Sequence, residues 1–121
     1  MFESVVAVPE GRSLVVRVTR GERSSIVYVE GESDSAGARR LGVELRSVCN
    51  RYPLVVLDCA GLRFLGSTGL EVLLDAHRRA RVRGHVLRIV VSSPAVLAVL
   101  RVSGADRELA VFGTMDAALT T

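Results

Sequence analysis

The chain contains no lysine: its 16 basic side chains are all arginine, and tryptophan is absent too. Without lysine there is no amine to act as a general base or to form an imine, and no phosphate-binding loop of the Walker type. Cysteine is scarce. Cys49 and Cys59 alone do not make a disulfide framework, and no Cys or His spacing resembles a zinc site, so reduced thiols are expected. The two would lie close together if the helix carrying Cys49 packs beside the strand ending at Cys59. The aromatics are few and scattered, at Phe2, Tyr28, Tyr52, Phe64 and Phe112, and none interleaves with the arginines. A net charge of +3 and a pI near 9.5 therefore do not point to nucleic acid, because base-reading surfaces combine cations with stacking platforms or a docking motif. No apolar run is long enough to span a bilayer, and Met1-Phe2-Glu3-Ser4 lacks the basic start and long apolar core of a signal peptide. The expectation is a cytoplasmic protein that does not insert into membrane.

What is present is a core. With 121 residues and 49% hydrophobic content, one domain is expected. Leu14 to Thr19 and Ser25 to Glu30 are rich in β-branched residues and flank Arg20-Gly21-Glu22-Arg23, which reads as a hairpin. Asp34 can cap a helix whose apolar face is Ala38, Leu41, Leu45 and Val48, ending before Pro53. Leu54 to Leu57 is a continuous apolar run, as in a central strand covered on both faces. A helix from Ser67 would bury Leu70, Leu73, Leu74 and Ala80 and end at Gly84, with a strand over Val86 to Val91 after it. Ser93 and Pro94 open a further helix carrying Val96, Leu97 and Leu100. Leu109 to Phe112 reads as a short last strand, and Gly113-Thr114 leads into a terminal helix with Ala117, Ala118 and Leu119. Alternation of strands and helices predicts an α/β fold, a mixed and mostly parallel sheet with an N-terminal hairpin edge and about four helices. Residues 1–12 read as an arm or extra edge strand, and residues 13–121 as the single domain.

The stretch Leu54 to Leu74 carries the chemistry. A strand, then Gly66-Ser67-Thr68-Gly69, then an apolar-periodic helix sets the Ser67 hydroxyl beside the unpaired first-turn amides and the positive end of the helix dipole. A phosphate on Ser67 would be stabilised there. The plainer reading makes Ser67 an N-cap that accepts a bond from a first-turn amide. Catalysis by Ser67 finds little support. His77 stands nearly three turns along the same helix at ~1.5 Å per residue, too far to act on the hydroxyl, and reads as a surface or half-buried packing residue. His85 follows a turn glycine and reads as exposed. Asp58 could be an acid at the end of its strand, and its simpler role is to accept from nearby backbone amides. The arginines at 78, 79, 81 and 83 fall near the helix's C-terminal end, where cations suit the dipole, and Asp75 to Arg79 is a favourable pair.

Three segments in order resemble the STAS domain, and more narrowly the bacterial anti-sigma factor antagonists. They are Val29-Glu30-Gly31-Glu32-Ser33-Asp34 after a strand, Asp58 through Phe64-Leu65 to Ser67-Thr68-Gly69-Leu70, and Ser92-Ser93-Pro94-Ala95-Val96 with Leu100 and Ser103-Gly104. The resemblance implies a phosphorylation-controlled protein switch with no catalysis and no cofactor. It aligns Ser67 with the serine that an anti-sigma factor kinase phosphorylates, with Thr68 a secondary acceptor. It implies a partner surface at Asp34, Asp58, Gly66, Ser67, Thr68, Gly69 and Leu70. The partners implied are an anti-sigma factor of the histidine-kinase-like ATPase class and a PP2C-type phosphatase, acting on sigma-factor-dependent transcription. The chain departs from the pattern at Gly66, where aspartate is usual, and at Ser33, where an apolar residue is usual. The loss of aspartate favours an alternative: a STAS docking subunit of a transporter or stress-signalling complex, with no phosphate cycle. A small-molecule-binding or hydrolytic α/β protein using Asp58 and Ser67 is the rival of another class.

Overall fold

Valines at alternate positions start the sheet. In the computed structural model, which describes residues 2–7, 14–33 and 35–120, β2 (Leu14–Arg20) and β3 (Ser24–Ser33) form an antiparallel hairpin. Gly21 N–H donates to the Ser24 carbonyl across its turn. The register sets Val16 opposite Val29 and Val18 opposite Val27, and all four side chains are buried on one face. Strand β1 (Phe2–Ala7) lies antiparallel along the outer side of β2. On the other side, β4 (Leu54–Leu65), β5 (Val86–Val90) and β6 (Ala110–Phe112) follow in parallel, giving the order β1-β2-β3-β4-β5-β6. The expected mixed, mostly parallel α/β fold is what forms.

Three helices cover one face. The spacing of Ala38, Leu41, Leu45 and Val48 makes α1 (Ser35–Arg51) amphipathic, and all four are buried. Helix α2 (Ser67–Val82) buries Leu73, Ala76, His77 and Ala80, while the expected Leu70 and Leu74 are half-buried at its margin. Helix α3 (Pro94–Ser103) begins as its sequence predicts: the Ser93 hydroxyl accepts from Val96 N–H and proline occupies the first turn. A single 3-10 turn, Ala105–Arg107, which the sequence pattern did not announce, links α3 to β6. Beneath these helices Val55, Leu57, Leu87 and Ile89 continue the valine layer of the hairpin into one core.

The other face is covered only in part. Short α4 (Met115–Thr120) sets Ala118 against Val56 and Val90, and Arg88 on β5 donates to the Ala118 carbonyl at 2.8 Å. This secures the last turn of α4, whose carbonyls have no helical partner.

Strand β4 corrects the expected end at Leu57. It runs on to Leu65, because β3 also extends, through irregular register between Tyr28 and Glu30 and again between Gly31 and Glu32. Gly31 makes that possible with φ +107°, a region that side chains bearing Cβ rarely enter. The strand expected to end at Glu30 thus runs on to Ser33.

Candidate functional site

The extended β4 delivers its chain end to one edge of the molecule. Leu62 and Leu65 are buried and anchor it, whereas Phe64 beside them is 53% exposed. Gly66 follows in extended conformation (φ −87°, ψ 179°), and its carbonyl accepts from Leu70 N–H at 3.0 Å, the first bond of α2. This overturns the N-cap reading of Ser67. Gly66 is the cap, it has no side chain to offer, and Ser67 is the first residue of the helix proper.

The consequence is chemical. The amides that open α2 have no intrahelical partner, and among the described residues no side chain caps them. Ser67 is exposed, Thr68 half-buried, Gly69 buried and Leu70 half-buried, so of the two hydroxyls that of Ser67 stands freer in solvent. An anion built on Ser67 would meet the positive end of a 16-residue helix.

Not every residue of the expected surface gathers here. Asp34 lies outside the described residues, although Ser33 pairs with Leu65, which brings the end of β3 to the same edge as Gly66. Asp58 is elsewhere. Seven strand residues separate it from Gly66, on the order of 20 Å at ~3.3 Å per residue. Its carboxylate accepts from Ala60 N–H at 2.9 Å, the backbone role that its position suggests. It lines a separate groove of about 180 Å³ with Arg17, Tyr28 and Glu30, where the Arg17 guanidinium sits 4.9 Å from the Tyr28 ring centre. A hydrolytic pair of Asp58 and Ser67 is therefore not assembled.

Both histidines differ from expectation. His77 is buried, 8% exposed, and neither ring nitrogen has a hydrogen-bond partner among the described residues. Burial lowers its pKa; Glu108 opposes this, and Arg81 and Arg78 reinforce it. Above it Arg78 makes a two-pronged ion pair with Glu108, at 2.7 and 2.9 Å, tying α2 to the segment before β6. Arg79 pairs with Asp75 as its spacing predicts. His85 is half-buried, and its Nδ1 lies 2.7 Å from the Cys49 carbonyl, so an Nδ1–H donates to the end of α1. Cys49 and Cys59 are both free and buried in the same core. Desolvation pushes each thiol up to about 12, and Asp58 adds to the effect on Cys59, so neither is a thiolate near neutral pH.

Among the described residues no group of His, Cys, Asp and Glu is placed to hold a metal ion, and no helix is long and apolar enough to cross a membrane. The exposure of Phe64 is not legible in the sequence, because the pair Phe64-Leu65 reads as wholly apolar and only the fold shows which of the two faces solvent.

Comparison with known proteins gives a consistent placement. A family model described as Mlab, STAS domain, matches residues 16–115. A Mycobacterium tuberculosis protein named "Putative anti-anti-sigma factor" is 30% identical over 97 residues, 78% of this chain, which spans 66% of that relative's length. The crystal structure of an anti-sigma factor antagonist from Mycobacterium paratuberculosis superimposes with a TM-score of 0.82 at 27% identity, covering 95% of this chain and 97% of the other. The unphosphorylated anti-sigma factor antagonist SpoIIAA shares the fold at a TM-score of 0.73 and 16% identity, over 86% of this chain and 92% of its own. With the family model matching most of the chain, the placement is plain: the chain belongs to the STAS domain family.

Proposed function

We propose that this chain is an anti-sigma factor antagonist whose surface at the start of α2 binds an anti-sigma factor, and that phosphorylation of Ser67 ends the binding. The carrying observation is the exposed Ser67 at the first position of α2, behind a glycine cap that leaves the opening amides without a side-chain partner among the described residues. A phosphoserine there adds about −1.5 to −2 charge, which the helix end tolerates in the free protein. In a tight interface the same charge must be desolvated and repels facing carboxylates, so release is local electrostatics. Phe64, Gly66, Ser67, Thr68, Gly69 and Leu70 form the binding surface. In this reading the anti-sigma factor is itself a serine kinase of the histidine-kinase-like ATPase class, and a PP2C-type phosphatase restores the hydroxyl. The chain is their substrate and ligand, working in the cytoplasm on sigma-factor-dependent transcription.

The test is an intact mass of the protein purified from its own host with phosphatases inhibited, followed by peptide mapping. One phosphate on Ser67, absent from Ser67→Ala, is expected under at least one of growth, starvation and stress. Phosphate confined to Thr68 would move the switch by one residue. An unmodified chain under all three conditions would sink the switch and leave the second reading, which Gly66 favours: a constitutive docking subunit of a transporter or stress-signalling complex.

A further inference from the structure

Helices α1 and α2 lie side by side over the sheet, and the seam between their outer faces is open. It forms a furrow of about 280 Å³ lined by Arg39, Val43 and Arg46 of α1 and by Glu71, Val72 and Asp75 of α2, with Thr68 at its upper end. The contributing positions recur at i, i+3 or i+4, and i+7 on both helices, so each presents one continuous stripe. Gly42 supplies the floor; a Cβ there would rest on Val72 Cγ2 at 3.4 Å. Val43 is 62% exposed at the centre. Arg39 and Arg46 are exposed, and neither makes a hydrogen bond or an ion pair among the described residues. Asp75, by contrast, is engaged by Arg79. The furrow is thus apolar at its centre, with two uncommitted cations, two turns or roughly 10 Å apart, on the α1 rim and the Glu71 carboxylate on the α2 rim.

We infer that this furrow seats an amphipathic helix of the protein partner, in the manner of a helix laid in a groove. Its apolar stripe rests on Val43 and Val72, and carboxylates on its flank face Arg39 and Arg46. The inference rests on the reading of Ser67 as a docking switch, since Thr68 joins the furrow to that residue and the docked helix ends where the phosphate appears. A second copy of this chain fits poorly: a two-fold contact would set the same concavity against itself, and two facing furrows enclose void.

The test places the photo-crosslinking residue p-benzoylphenylalanine in the full chain, in its own host, singly at positions 43, 64 and 102, the last being 89% exposed on α3. Position 43 is expected to give an adduct to a peptide with an apolar stripe at helical spacing and flanking carboxylates, and position 102 none. A synthetic peptide of that segment should bind the purified protein, and Arg39→Glu with Arg46→Glu should weaken it roughly tenfold at low salt. Changing the peptide's carboxylates to arginine should restore binding to that double variant, which no loss of folding would allow. No adduct at 43, an adduct to a second copy of the chain, or a captured segment without the stripe overturns the inference. An adduct at 64 with none at 43 removes the furrow while the Ser67 surface stands; adducts at neither position remove both.

Discussion

Gly61 shows at the residue scale what the extended β4 requires. A Cβ at this position would fall 2.6 Å from Glu30 Cβ and 3.3 Å from Glu30 Cα, and backbone on both strands would have to part. Gly61→Ala is therefore expected to destabilise the protein by about 2 kcal/mol, read as a lower urea midpoint. An unchanged midpoint would show that the β3–β4 irregularity absorbs a methyl group freely. The same residue explains a limit of the sequence. Asp58 and Gly61 are turn-forming types and Ala60 is a weak strand former, and the expected strand stops before them. Pairing with β3 overrides that local preference, and no pattern within residues 58–65 announces it. Phe64 is illegible for a related reason: Arg63 and Phe64 are both exposed, which breaks the alternation of a regular strand.

At the scale of elements, the helices are legible down to their first residues. The stripe of α1, the capped start of α3 and the whole length of α2 follow from apolar spacing and flanking Gly, Ser and Pro. The start of α2 at Ser67 is as expected, and what is misread is its cap, which is Gly66 and not Ser67. Gly66 has a φ of −87°, which any residue adopts, so Gly66→Asp costs no backbone strain. Its carboxylate would accept from the opening amides, complement the dipole and reduce the freedom of the unfolded chain. Stability is expected to rise by about 1 kcal/mol, a gain in melting temperature of about 4 °C. The same carboxylate would compete with a phosphate on Ser67 for those amides. Addition of phosphate to Ser67 should therefore raise the melting temperature of the natural chain more than that of Gly66→Asp. Equal increments would mean that the phosphate does not use the helix end.

At the scale of the whole molecule, the buried imidazole of His77 makes stability depend on pH just below neutrality. The folded state holds His77 neutral, with its pKa below the usual 6.5, chiefly through burial. The unfolded chain binds a proton there near pH 6.5 and the folded chain does not, so this contribution to stability is complete above that pH. It is lost as pH falls from there toward the depressed folded value. The urea midpoint is expected to fall between pH 7.5 and 5.5, and His77→Phe to flatten that part of the fall; equal slopes would show that another group titrates. His77 read as surface or half-buried in the sequence because its neighbours Arg78 and Arg79 are charged, and only the packing of α2 turns it inward. One more property follows from the strand order. Each strand in the sheet hydrogen-bonds only to the strands before and after it in the sequence. No early segment waits for a distant one, so a nascent chain can add its strands in the order of their synthesis, each on an edge already formed. Growth at a moving edge confines each closure to one hairpin or one helical crossover, so the strand that an open edge waits for is always the next to be made.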